Sequence, residues 1–283
     1  MIPKRYITQW IENAPWQDNA QIEQDLLLSR TIAEIYNHPL LSEHLVFRGG
    51  TALNKLFFKP PLRYSEDIDL VQYKQGPIGE LMTAIHQTLD PCLGNPKYKQ
   101  SHGRVTFFYG FETENAPIRP MKIKVEINTR EHGSELPIKD IPFTINNGWF
   151  SAKATIKTYQ LEELIATKLR ALYQRRKGRD LFDLHQTLLR FPTLDTLAVV
   201  YCFKRYLEKE NLKVSRAEFE KNLSRKLQDS IFKQDTFPLL PADLVYEQWD
   251  AYELVHKEII SKLPGDPWEG EESQGLLIKI KDD

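Results

Sequence analysis

The chain has 283 residues, 41% hydrophobic and 27% charged, enough apolar content for a globular protein of about two domains. Its 38 basic and 39 acidic residues leave a net charge of −1, which excludes a global basic field for a polyanion and leaves room only for a local patch. Cys92 and Cys202 lie far apart in apolar surroundings, the pattern of reduced thiols rather than of a disulfide framework. The N-terminus lacks an apolar run of secretory length, and no run elsewhere reaches a bilayer span, so the expectation is a cytoplasmic protein without a membrane segment.

In chain order, "NAQIEQDLLLSRTIAEIYNHPLL" places Ile22, Leu26, Ser29, Ile32, Ala33 and Tyr36 on one side of a helix that His38-Pro39 ends. "HLVF" reads as a short strand, followed by a Gly-Gly break and a helix from Thr51 to Phe58 that Pro60 and Pro61 stop. "SEDIDLVQY" alternates as a strand, and "GPIGELMTAIHQTLDPCL" as a helix closed by Pro91. "RVTFFYGFET" and "MKIKVEINTR" are aromatic and β-branched, the composition of an antiparallel hairpin, and "PFTINNGWF" and "ATIKTY" add short extended pieces. From Leu161 on the pattern is helical, with a capping box at Ser215 and Glu218 and an acidic tail after Pro264 expected to fray. The organisation is a mixed α/β domain over residues 1–155 and an all-helical C-terminal domain over residues 156–283.

Three features carry chemistry. Alternation sends Ile68 and Leu70 to one side of their strand and Asp67 and Asp69 together to the other, within reach of a common cation. Such oxygen donors suit Mg²⁺, which takes one or two carboxylates with phosphates and water. In "MKIKVEINTR", Ile123, Val125 and Ile127 face a core, leaving Lys122, Lys124, Glu126 and Asn128 opposite; beside the first strand, Glu126 becomes a third carboxylate. Three crowded acids repel one another unless a cation relieves them.

The turn at Gly49, Gly50 and Thr51 is the second feature. Glycines let backbone N–H groups approach a phosphate, and the Thr51 hydroxyl is placed to cap the helix that follows. The sequence lacks the glycine–lysine–serine ending of a P-loop. The third feature is Lys168, in the middle of the apolar stripe Leu161, Leu164, Ile165, Leu169 and Leu172. A lysine there must snorkel, find an acid or reach into a cleft. "RRKGRD" follows as an electropositive run, either toward phosphates or as a solvated helix end, with Asp180 and Asp183 beside Leu181, Phe182 and Leu184. The seven histidines show no ligand spacing for a structural zinc.

Together "GGTAL", "RYSEDIDL", "KVEINTR" and "KLRALYQRRKGRDLFDL" resemble the AbiEii/AbiGii toxin family of nucleotidyltransferases, the polymerase-β-like enzymes of type IV toxin–antitoxin and abortive-infection (phage-defence) systems. The likeness covers about residues 20 to 190. It implies an α/β (α+β) fold, a nucleotidyltransferase domain with a mixed sheet flanked by helices, followed by helices that contribute Lys168 and the later acids. The implied roles are nucleotide binding by Gly49, Gly50, Thr51, Arg63, Ser65 and Lys168, and metal binding by Asp67, Asp69 and Glu126. Asp67, Asp69, Glu126, Lys168, Asp180 and Asp183 form the implied catalytic set. The cofactor is Mg²⁺ or Mn²⁺, the substrate an NTP, and the acceptor RNA, in some members the 3′ end of tRNA. A cognate antitoxin encoded alongside is the implied partner. Two departures stand out: the gap between glycine turn and acid pair is long, and Glu126 replaces the aspartate of many relatives.

Two other readings compete with transfer to RNA. One keeps the fold and moves the nucleotide to a small molecule or protein hydroxyl; the other is a catalytically silent nucleotide- or RNA-binding module. NTP-dependent labelling of RNA separates all three.

Overall fold

Strands form where apolar and polar residues alternate, and seven of them hydrogen-bond into one mixed sheet of order β3-β4-β5-β2-β1-β7-β6. The computed structural model describes residues 2–270. They divide into two units, one running to Gln160 and taking in Leu239–Leu244, the other built from Leu161–Pro238 and the chain from Val245 onward. The tail expected to fray lies, from residue 271 on, outside the described residues.

The first unit contains, in order, α1 (Lys4–Gln9), α2 (Asn19–Asn37), α3 (Pro39–His44), β1 (Leu45–Arg48), α4 (Gly49–Ala52), β2 (Asp67–Gln72), α5 (Gly79–Leu93), β3 (Lys97–Ser101), β4 (Arg104–Glu112), β5 (Pro120–Asn128), β6 (Lys139–Asn146) and β7 (Ser151–Thr158). The pairs β2–β5 and β1–β7 are parallel; the others are antiparallel. The expected hairpin is β4–β5, in continuous register from Arg104↔Asn128 to Glu112↔Pro120.

One sheet face is the core. Ile68 and Leu70 from β2, Val105, Phe107 and Tyr109 from β4, and Ile123, Val125 and Ile127 from β5 bury against α2 and α5. Burying one such side chain is worth roughly 1.5–3 kcal/mol, so a one-residue register slip is strongly disfavoured. That fixes which residues face the other way. Helix α2 starts at Asp18, whose carboxylate accepts from Ala20 N–H at 2.9 Å, and its Asp25 is buried on Trp10 Nε1 (2.8 Å) and Lys55 Nζ (2.5 Å).

Local differences from the sequence reading have local causes. Pro91 does not close α5: it lacks one N–H in the last turn, but the helix continues to Leu93, and Gly94 N–H still bonds Asp90 O at 2.9 Å. Strand β3 had no signature because every residue in "KYKQS" is exposed at a sheet edge, leaving no apolar alternation to read. The helix expected from Thr51 begins at Gly49 and continues as a π-helical turn, Leu53–Phe57.

The second unit comprises α6 (Leu161–Gln174), α7 (Gly178–Arg190), α8 (Thr196–Lys209), α9 (Arg216–Gln228), α10 (Ser230–Gln234) and α11 (Gln248–Glu258). Both halves of the Ser215–Glu218 capping box are present at the start of α9. Among the described residues no helix is long and apolar enough to cross a membrane.

Candidate active site

The face opposite the core holds the acids. Parallel pairing of β2 with β5 sets Asp67 opposite Lys124 and Asp69 opposite Glu126. Directly opposed like charges such as Asp69 and Glu126 destabilise a sheet unless something neutralises them. Lys124 does: its Nζ lies 3.3 Å from Asp67 Oδ2 and 3.3 Å from Glu126 Oε2. Arg104 Nη1 reaches Glu126 Oε1 at 3.4 Å from the next strand.

Burial raises the Asp69 carboxyl above its usual range, with the Asp67 charge adding and Lys124 and Arg48 opposing. Burial works against the Lys124 ammonium, but Asp67, Glu126 and Asp69 outweigh it and hold its pKa above the ordinary value. Arg48, the cross-strand partner of Asp69 on β1, is ion-paired with Glu131 and held charged despite its burial.

The glycine turn is built against this cluster. Gly49 has φ of +83°, a conformation strained for any side chain, and a Cβ there would run into Asp69 Oδ2. A Cβ on Gly50 would run into the guanidinium of buried Arg63 and come within 3.2 Å of Ser65 Oγ. Asn54 locks the arrangement: Nδ2 donates to Gly50 O at 2.9 Å, while Oδ1 accepts from Leu62 and Arg63 N–H at 3.0 and 3.2 Å.

Thr51 does not cap the helix, which has no side-chain cap. Its Oγ1 donates to Asp67 O at 2.5 Å and meets Ser65 Oγ at 2.8 Å, so the turn is fastened to the backbone of the acid it neighbours. The structure thus brings Gly49, Gly50, Thr51, Arg63, Ser65, Asp67, Asp69 and Glu126 together. Sequence reasoning missed Asn54, Arg48 and the role of Lys124. For Lys124 the signal was present: two residues from Glu126 on one strand, it shares that residue's face.

The donor set fits a divalent cation. The carboxylates are hard oxygen donors, and an ammonium already stands between two of them as a monovalent substitute. Among the described residues no three His, Cys, Asp or Glu side chains are arranged as a ready metal cluster, and Lys124 stands between Asp67 and Glu126.

Lys168, Asp180 and Asp183 lie in the second unit, all buried. Lys168 has found acids: its Nζ is 2.9 Å from Asp183 Oδ2 and 3.4 Å from Asp180 Oδ1. Asp180 also takes a two-pronged contact from Arg175, Nε at 2.7 Å and Nη2 at 2.8 Å. The remaining cations of "RRKGRD" pair within the unit: Arg176 with Asp229 at 3.4 Å, and Lys177 and Arg179 with Asp235 at 3.3 and 2.8 Å.

Over residues 30–255 the chain matches the family described as nucleotidyl transferase AbiEii toxin, type IV TA system. Among solved structures it is similar to MenT4, a nucleotidyltransferase toxin from Mycobacterium tuberculosis H37Rv. Identity is 17% and the TM-score 0.52, with 92% of this chain and 97% of that one covered. An antigenic nucleotidyltransferase-like protein from Paracoccidioides brasiliensis aligns at 15% identity and a TM-score of 0.38, covering 74% of this chain and 93% of that one. No curated protein matches. At these identities the likeness to MenT4 speaks for the fold alone: a mixed sheet with flanking helices and a helical C-terminal region.

Proposed function

The chain belongs to the AbiEii family of nucleotidyltransferase toxins from type IV toxin–antitoxin systems, and from that premise we propose that it transfers a nucleoside monophosphate from an NTP to the 3′ end of an RNA, with tRNA as the acceptor. The observation that carries this reading is the in-register placement of Asp67 and Asp69 beside Glu126, against the Gly49-Gly50-Thr51 turn. Carboxylates on a rigid sheet and a glycine turn at their edge are what phosphoryl transfer asks of a protein: positioning and charge neutralisation.

In this reading the turn receives the triphosphate, with Arg63 and Ser65 supporting it. The terminal RNA oxygen attacks the α-phosphorus, the bond to the bridging oxygen breaks, and pyrophosphate leaves. Glu126, the cross-strand partner of Asp69, accepts the hydroxyl proton. Asp67, Asp69 and Glu126 would hold Mg²⁺ or Mn²⁺, which would supply charge stabilisation at the entering and leaving oxygens. Lys168, Asp180 and Asp183 keep the roles that the family resemblance implies, as part of the proposal. Modification of the RNA end blocks translation in the cytoplasm, and the partner that restrains it is the antitoxin of the type IV pair.

The test is incubation with each labelled NTP and total tRNA, Mg²⁺ present. NTP-dependent label should appear in RNA and vanish with Asp67→Ala or Asp69→Ala. Label that survives both substitutions, or that enters a protein or small molecule instead, overturns the assignment to RNA.

A further inference from the structure

The sheet face carrying the acids continues past them over β4 and β3, and there it is cationic and aromatic. Register defines its rows. Asp67 pairs with Lys124, Lys124 with Phe108, and Phe108 with Lys97. The next row is Asp69, Glu126, Thr106 and Lys99, and beyond it lie Asn128, Arg104 and Ser101. Cross-strand partners project to the same side, so Lys97, Lys99, Arg104 and Phe108 share the face of the acids.

Several observations show that the strip is built for something. Lys122, exposed, lies over the Phe108 ring at 5.2 Å. Lys97 and Lys99 are exposed and form no ion pair among the described residues. Tyr98 between them turns to the opposite face, where its ring meets His86 and Phe107 at 6.1 Å each. The edge strand is thus anchored by its aromatic and sends both lysines to the acid side. On β3 and β4 the acid of this face is Glu112, at the far end of β4. Lysines on an edge strand also discourage sheet-to-sheet pairing. That role does not explain an arginine and a half-exposed phenylalanine on interior strands of the same rows. In a chain of net charge −1, such a local concentration is the form that polyanion binding must take.

Resting on the nucleotidyl-transfer reading above, we propose that this β5–β4–β3 strip holds the single-stranded 3′-terminal segment of the RNA acceptor. Phe108 stacks on a base, and Lys97, Lys99, Arg104 and Lys122 contact phosphates, so that the terminal hydroxyl arrives at Asp67, Asp69 and Glu126. The strip runs roughly 14 Å from β2 to β3, the reach of a few unpaired nucleotides. A duplex would shield its bases from Phe108; a single strand does not.

The test reads binding without catalysis: fluorescence anisotropy of a short labelled single-stranded RNA, in EDTA and without NTP. Variants are the double reversal Lys97→Glu with Lys99→Glu, and Phe108→Ala, each checked for wild-type melting. The reversal should weaken binding about tenfold or more and lower the slope of log K against log salt by about 1.4, two phosphates at roughly 0.7 each. Phe108→Ala should weaken it roughly fivefold or more. Folded variants that bind like wild type, or polyglutamate that competes as well as RNA, would overturn the proposal. Binding lost on reversal, in a protein that labels no RNA, leaves the strip standing and removes the transferase reading. Labelling of tRNA with an unchanged KM in the reversed variant does the opposite.

Discussion

The carboxylate of Asp69 fills the space in which a side chain on Gly49 would have to sit. Position 49 also has φ of +83°, so substitution meets backbone strain and a collision together. Gly49→Ala should therefore lower stability by about 1–3 kcal/mol and displace Asp69. Gly79→Ala is the control, with ordinary φ and nothing within 4 Å of a new Cβ, and should be neutral or slightly stabilising. Denaturant midpoints decide it: a Gly49→Ala protein as stable as wild type would show that the turn is not packed on the acid.

Lys124 balances Asp67 and Glu126 at 3.3 Å each, and Asp69 lies in the same cluster. Lys124→Met removes that balance from inside the cluster. Without divalent metal the variant should melt below wild type, because like charges are left adjacent. Adding Mg²⁺ or Mn²⁺ should raise its melting temperature more than that of wild type, since the cation no longer competes with an ammonium. Identical shifts in the two proteins would remove Lys124 from this role.

The parts of this site that were legible in the sequence are those governed by alternation. A half-buried strand must alternate, so the shared face of Asp67 and Asp69, and of Glu126 and Lys124, could be read before any pairing was known. The adjacency of β2 and β5 could not, because strand order depends on the whole sheet rather than on either segment. Strand β3 was illegible for the reverse reason: an exposed edge imposes no pattern on "KYKQS". Thr51 looked like a cap because a hydroxyl at the start of a helix usually is one, and only the tertiary approach of Ser65 and Asp67 redirects it. Lys168 was recognisable as an anomaly, while its partners, 12 and 15 residues onward, depended on how α7 packs on α6.

That anomaly makes a separable prediction about stability. Lys168→Met withdraws a buried ammonium from two buried carboxylates, of which Asp180 keeps the two-pronged contact from Arg175. The cost should be about 3–5 kcal/mol, well beyond that of a surface pair. Combining it with Asp183→Asn should cost less than the sum of the single changes, because the second removes the charge that the first leaves exposed to an apolar interior. Strict additivity in denaturant titrations would mean that the two side chains do not act as a pair. The experiment uses unfolding alone, so it separates a structural role from one toward a nucleotide.

Acid stability reports on the second unit in the same way. Burial pushes the Asp235 carboxyl up, but the side chain and backbone N–H of Arg179 and the ammonium of Lys177 prevail and hold it at about 2, against an ordinary 3.8. A carboxyl depressed on folding adds stability that is fully present above its unfolded value and lost as pH falls through the folded one. The contribution should thus be intact at pH 5 and disappear between about pH 4 and pH 2, amounting to about 1–2 kcal/mol after screening by solvent. Asp235→Asn never has this contribution, so the stability gap between wild type and variant should close over that window. A gap that persists unchanged at pH 2 would mean that the ion pairs of Asp235 are not what the substitution removes.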